Sequence, residues 1–229
     1  MKFILLSLCL SLLTFSATAE VTTPFNGKNL NGWKTKGPAE KSKWTVGHPV
    51  MGKSNPKALE LGEGGKDLAM VNLAGSHGKS IDFYSEATFG SCTIELDLMV
   101  PKDSNSGIYV MGEYEVQVLD SFGKEKMGMG DMGAIYGAAP PSMNACKAPG
   151  EWQHFVINFV APTFDGAGKK LTNATFTRIT LNGKVIQENA EMPKPTPGGV
   201  SGKEAAKGPI MFQGDHGPVA YRNIKITEK

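Results

Sequence analysis

Thr93-Ile94-Glu95-Leu96-Asp97-Leu98-Met99-Val100 places Ile94, Leu96, Leu98 and Val100 at every second position, with Glu95 and Asp97 between them. Side chains of an extended strand point to opposite faces in turn, so this period of two reads as a strand with one buried face. The pattern recurs downstream. Tyr114, Val116 and Val118 alternate with Glu113, Glu115 and Gln117, and Phe155, Ile157 and Phe159 alternate with His154 and Asn158. Asn182-Gly183 separates Thr175–Leu181 from Lys184–Glu188, and an Asn-Gly pair tolerates the two positive φ angles of a tight hairpin. Shorter runs at 43–46, 58–61, 68–73, 81–84, 108–111, 209–213 and 219–226 read as further strands. Gly (28) and Pro (14) punctuate the spaces between, and no amphipathic helical run of ten residues interrupts them. Many short strands with glycine-rich turns predict an all-β, two-sheet antiparallel jelly-roll sandwich. Ile94, Leu96, Leu98, Tyr114, Val116, Val118, Phe155 and Ile157 should fill its core.

The chain begins Met1-Lys2, runs apolar from Phe3 to Phe15, and reaches Ala17-Thr18-Ala19. A cationic start, a short apolar stretch and a small-x-small site are the parts of a secretory leader. The reading is a signal peptide over residues 1–19 and one domain over residues 20–229, secreted or periplasmic. Cys9 follows Ser7-Leu8 rather than small residues, which argues against a lipid anchor. No segment supplies the roughly 18 apolar residues of a membrane span. Lys and Arg total 24 against 22 Asp and Glu, a net charge of +2 that falls to +1 without Lys2. That balance excludes a basic nucleic-acid binder. Cys92 and Cys146 remain in an oxidising compartment, either as a disulfide or as two separate buried thiols.

The chain has no phosphate-binding glycine loop, His-Glu-x-x-His, Cys-x-x-Cys or Gly-x-Ser-x-Gly. Its four histidines, His48, His77, His154 and His216, are dispersed in sequence and do not propose a zinc site. Glu113, Glu115 and Gln117 share the strand face opposite the core residues. Same-face neighbours lie about 6.8 Å apart, within reach of the roughly 5–9 Å used by paired glycosidase carboxylates. A solvated outer face with ordinary charges is the bland alternative. Asp131, inside the glycine-rich loop Met127–Gly133, and Asp215-His216, between Gly214 and Gly217, sit on permissive backbone that a ligand can approach closely. Trp152, after Pro149-Gly150-Glu151, is either a sugar-stacking platform or a packing residue. Trp33 reads as structural.

Phe25-Asn26-Gly27-Lys28-Asn29-Leu30-Asn31-Gly32-Trp33, Asn105-Ser106-Gly107-Ile108-Tyr109, and Tyr114-Glu115-Val116-Gln117-Val118-Leu119-Asp120-Ser121 fall in order along the chain. Gly133-Ala134-Ile135-Tyr136-Gly137, Pro149-Gly150-Glu151-Trp152 and Gln213-Gly214-Asp215-His216-Gly217-Pro218 follow. Together they resemble the 3-keto-disaccharide hydrolase domain family from about Thr23 to the C-terminus. The resemblance implies a concanavalin A-like jelly roll of the lectin/glucanase type and cleavage of glycosides whose sugar carries a ketone at C3. Where many relatives have an acidic-aromatic pair after Phe89-Gly90, this chain has Ser91-Cys92, and it has Cys146 near Asn144-Ala145. Both departures introduce cysteine, so Cys92 and Cys146 are expected to lie close enough to bridge.

A C3 ketone acidifies the hydrogen on C2, so the implied site needs a base, a partner for the enolate oxygen and an acid for the leaving oxygen. Glu115 or Glu113 is the expected base, His216 with Asp215 the acid or orienter, and Gln117 a positioning donor. Asp120 either holds His216 or joins Asp215 in binding a divalent cation. Asp131, Trp152 and Gln213 complete the expected substrate contacts. The substrate is an oligosaccharide or 3-keto-glycoside. A non-catalytic sugar-binding module is the rival reading, disfavoured by an outer face of carboxylates and His rather than a row of aromatics.

Overall fold

The structure is a computed structural model that describes residues 20–65 and 68–229; the expected leader at 1–19 lies outside them. Its strands are β1 (Val21–Thr22), β2 (Trp33–Thr35), β3 (Trp44–Met51), β4 (Leu59–Gly62), β5 (Ala69–Asn72), β6 (Phe83–Phe89), β7 (Cys92–Met99) and β8 (Asn105–Val110). Then come β9 (Tyr114–Leu119), β10 (Gln153–Val160), β11 (Thr163–Phe164), β12 (Lys170–Thr172), β13 (Ala174–Leu181), β14 (Lys184–Met192), β15 (Gly208–Phe212) and β16 (Val219–Glu228). Among the described residues the only helix is a single 3₁₀ turn at Ala39–Lys41.

Two antiparallel sheets form the sandwich. The larger runs β14-β13-β10-β7-β16-β5-β3-β4, with β1 added along β16; the smaller runs β2-β6-β15-β8-β9. The alternating segments sit where their pattern predicts. Ile94, Leu96, Leu98, Tyr114, Val116, Val118, Phe155 and Ile157 are all buried in one core between the sheets, each contributing on the order of 1.5–3 kcal/mol relative to exposure. Asn182 and Gly183 take φ of 51° and 78° and close the β13–β14 hairpin.

One stack of rings joins the sheets beneath the smaller one. Phe212 of β15 lies on Tyr221 of β16 at 3.8 Å between centroids, and Trp33 stacks on Phe83 and Phe212. Trp44 donates its indole N–H to the Ile81 carbonyl at 2.8 Å. The stack fixes the ends of β2, β6 and β15, from which Lys36, Asp82 and Gln213 emerge together.

The expected disulfide is absent: Cys92 and Cys146 are both free. Cys92 pairs with Phe159 at one end of β10, whereas Gln153, at the other end, pairs with Leu98. Six residues of strand separate those ends by about 20 Å, and Gln153 is tied to Lys147, next to Cys146, by two hydrogen bonds of 2.9 and 3.0 Å. A bridge needs Cα atoms within about 7 Å. Burial pushes both thiols up to about 12, so neither is a reactive thiolate at neutral pH.

Candidate functional site

The β8–β9 hairpin turns at Met111 and Gly112, both at positive φ. Its register sets Tyr109 opposite Glu115 and Gly107 opposite Gln117. Paired residues share a face, so Asn105, Gly107, Tyr109, Glu115 and Gln117 all point away from the core. Gly107 has a steric purpose here. A Cβ on it would stand 2.2 Å from Oε1 of Glu115, so only glycine leaves room for that carboxyl.

This outer face is not solvated. Glu115 is 2 % exposed and Gln117 4 %, because two loops fold over the sheet edge. From one, Gly133 N–H donates to the Gln117 carbonyl and Tyr136 N–H to the Glu115 carbonyl, while Gln117 N–H donates to the Ala134 carbonyl. From the other, Thr196 N–H donates to the Glu113 carbonyl and Val200 N–H to that of Gly112. Glu115 N–H in turn donates to the Thr196 hydroxyl at 3.0 Å. The segment from Gly133 to Tyr136, at the end of the glycine-rich loop, is thus pinned along an edge strand, which satisfies the backbone groups an edge would leave bare.

Between these loops and the strand ends lies a cavity of about 280 Å³, near the lower end of ligand-pocket sizes. Glu115, Gln117, Asn105 and Tyr109 form its floor, and Lys36, Asp82, Gln213, Asp215 and His216 its far wall. Tyr136, Pro197 and Gly198 form the lip. The far wall is braced from behind. The Asn72 amide donates to the carbonyls of Gly214 and Gly217, and Gly214 N–H donates to Asp82 at 3.0 Å. Lys36 reaches Asp82 at 3.4 Å and donates to the Gly198 carbonyl at 2.6 Å. Gln117 donates its amide N–H to Asn105 at 2.9 Å, and Nδ1 of His216 is hydrogen-bonded to Asp215.

Burial is the largest cause raising the Glu115 carboxyl from its ordinary value near 4.5 to about 7. The Asp82 and Asp215 charges add to it, and the Tyr109 hydroxyl opposes it by hydrogen-bonding the charged form. Asp82 is also raised, chiefly by burial, with Gly214 N–H and Lys36 opposing. Burial likewise keeps the Tyr109 phenol protonated, as a donor. A carboxyl poised near neutrality, amides for sugar hydroxyls, a cation and a carboxylate-held imidazole suit proton abstraction and proton return on a small polar substrate.

Of the residues expected from sequence, Glu115, Gln117, Gln213, Asp215 and His216 meet in this cavity; four others do not line it. Glu113 precedes β9 in the turn, and its buried carboxylate accepts hydrogen bonds from Ser201 N–H, Ser201 Oγ and Gly202 N–H. Asp120 accepts from the Asp103 and Phe122 amides, so neither a grip on His216 nor a cation site with Asp215 is formed by it. Asp131 is taken by Lys124 at 2.7 Å and by Gly128 N–H. Trp152 lies with its ring centroid 4.0 Å from the Arg222 guanidinium, and it packs against a small apolar cluster of Leu59, Ala69, Val71, Met99 and Ala220 on the larger sheet. Lys36, Asp82, Asn105, Tyr109, Tyr136, Pro197 and Gly198 are the lining residues not expected from sequence. Asn105, Tyr109 and Tyr136 stood inside quoted motifs, but Lys36 and Asp82 carry no local signal. His77 packs edge-on to His216 at 4.5 Å. Among the described residues no group of three His, Cys, Asp or Glu is arranged to hold a metal ion.

A family model described as the 3-keto-alpha-glucoside-1,2-lyase-like domain matches residues 20–227. A crystal structure from Parabacteroides distasonis ATCC 8503, provisionally named a glycosyl hydrolase, is 30% identical, covers 93% of this chain and 84% of its own, and superposes with a TM-score of 0.68. A second structure from that organism, of the same provisional name, is 16% identical over 91% of this chain and 94% of its own, with a TM-score of 0.58. The second likeness concerns the fold alone. No curated protein matches the sequence.

Proposed function

The chain belongs to the 3-keto-alpha-glucoside-1,2-lyase-like domain family, and on that premise we propose that it cleaves the glycosidic bond of sugars carrying a ketone at C3, with Glu115 as the base. The observation that carries this reading is the Glu115 carboxyl: buried over Gly107, raised to about 7, and set among amides in a cavity sized for a small ligand. The Glu115 carboxylate takes the proton from C2. The electron pair forms a C1–C2 double bond as the C1–O bond breaks, and the C3 oxygen carries the developing charge. Lys36 or the Gln213 amide stabilises that oxygen. His216, oriented by Asp215, donates a proton to the leaving oxygen; when water adds, its hydroxyl goes to C1, its proton to His216, and Glu115 gives its proton back to C2. Water adding later across C1 and C2 makes the sum hydrolysis. Residues 1–19 act in this reading as a cleaved leader, so the mature protein works outside the cytoplasm; an exported form whose mass begins at Glu20 is the expected result.

The deciding experiment compares a 3-keto-glucoside with its unoxidised parent. Without the ketone the C2 proton has no stabilised conjugate base, and a positioned base supplies only about 10²–10⁴-fold. Only the keto compound should release its alcohol, and recovered substrate should carry solvent deuterium at C2 where deprotonation reverses. Equal cleavage of both would replace this route with an ordinary glycosidase. Binding of a glycan with no cleavage of either would make the chain a sugar-binding module.

A further inference from the structure

A second, larger hollow of about 990 Å³ adjoins the candidate site, and Tyr136, Pro197 and Gly198 line both. One wall is Tyr136-Gly137-Ala138. The other is the chain from Glu191 to Gly202, with Pro193, Pro195, Pro197 and Val200. We infer that this groove holds the leaving group of the substrate, and that the leaving group it fits is a flat apolar alcohol of the aryl or aryl-alkyl class rather than a second sugar. The inference rests on the proposed cleavage reaction.

Continuity places the occupant. A sugar ring seated over Glu115 can send its substituent out across the shared lip, and the groove begins at that lip. The wall chemistry selects the class. Sugar hydroxyls buried without partners lose their hydrogen bonds to water, and beside Lys194 the groove's charged and hydroxyl side chains, Glu191, Thr196 and Ser201, each already hold a hydrogen bond within the protein. The Thr196 hydroxyl accepts from Glu115 N–H, the Ser201 hydroxyl donates to Glu113, and Glu191 accepts from Asn173. Prolines, a valine and the 43 % exposed Tyr136 remain as contact surface, which suits an aromatic face. The groove is also preformed. The Tyr109 hydroxyl donates to the Pro197 carbonyl at 3.0 Å and Lys36 to that of Gly198, so two cavity residues hold the groove's wall in place. A wall already ordered costs little to bind against.

The test uses ethyl and 2-phenylethyl 3-keto-glucosides, whose alcohols leave with similar ease, and a 3-keto-disaccharide. Similar kcat with a KM lower by about tenfold or more for the 2-phenylethyl compound is expected. Ala138→Asp, which puts a charge on the exposed groove wall, should bring the ratio of the two KM values towards one, with the fold checked by circular dichroism. Equal KM values with both compounds turned over would overturn the inference and leave the cleavage reaction standing. Preference for the disaccharide would overturn it in favour of a second sugar. Absence of turnover and of C2 deuterium exchange in every substrate would overturn the reaction itself.

Discussion

Glu115→Gln is expected to lower turnover of a 3-keto-glucoside by about 10²–10⁴-fold, the usual worth of a positioned base. The amide is nearly isosteric, so it should still fit over Gly107, but it cannot accept the C2 proton. In the wild type, kcat/KM should rise with pH through a midpoint near 7 as Glu115 becomes ionised, and the residual activity of the variant should lack that limb. Stability should move the other way. The folded-state value lies above the unfolded one, so folding favours the protonated form. The group therefore destabilises progressively as pH rises from about 4.5 to about 7, and the penalty levels off above that. Gln never ionises. Against the wild type, the variant should accordingly gain about 2–4 kcal/mol between pH 4.5 and pH 8, an upper-range figure at about 1.4 kcal/mol per pH unit. Urea unfolding at the two pH values reads this directly. A stability difference that does not change with pH, or a variant with wild-type turnover, would remove Glu115 from the role of buried base.

The parts of this molecule legible in its sequence are those set by local period and local turn chemistry. Ile94, Leu96 and Leu98 declared a buried face, and Asn182-Gly183 declared a hairpin, because each signal lies within a few consecutive residues. The same alternation misled on the other face of β9. It could report that Glu115 and Gln117 point away from the core, but not that chain 133–139 and chain 196–200 fold over them. That covering is non-local, and it turns an outer-face carboxylate into one raised to about 7. Lys36 and Asp82 reach the cavity only because β2, β6 and β15 end together above the stacked rings of Trp33, Phe83 and Phe212. Asp131 illustrates the converse. Its glycine-rich surroundings suggested ligand access, yet they let the chain curl until Gly128 N–H reaches its carboxylate. Trp152 is likewise claimed by Arg222, which comes from the distant strand β16.

Glu113→Gln should separate the two glutamates that the sequence presents as a pair. Glu113 is 4 % exposed. One of its oxygens accepts from Ser201 N–H at 2.8 Å and Ser201 Oγ at 2.7 Å, and the other from Gly202 N–H at 2.9 Å. An amide replaces one acceptor with an N–H₂ group facing a backbone donor. At least one charge-assisted bond is lost, with a cost of about 1.5–3 kcal/mol. The variant should therefore unfold at lower urea concentration at every pH, with no shift of the pH limb assigned to Glu115. The segment it releases, Gly198 to Gly202, walls the larger groove and touches the lip of the smaller cavity. KM should rise, and most for substrates with a bulky apolar leaving group, while kcat falls by less than about tenfold because the base itself is untouched. Ala at this position should exaggerate both effects, since it leaves the Ser201 and Gly202 amides without an acceptor. The two substitutions thus act with opposite sign on stability above neutral pH, and on different kinetic constants. A Glu113→Gln protein of wild-type stability that lost turnover as severely as Glu115→Gln would restore Glu113 to the chemistry and make the carboxyls a working pair.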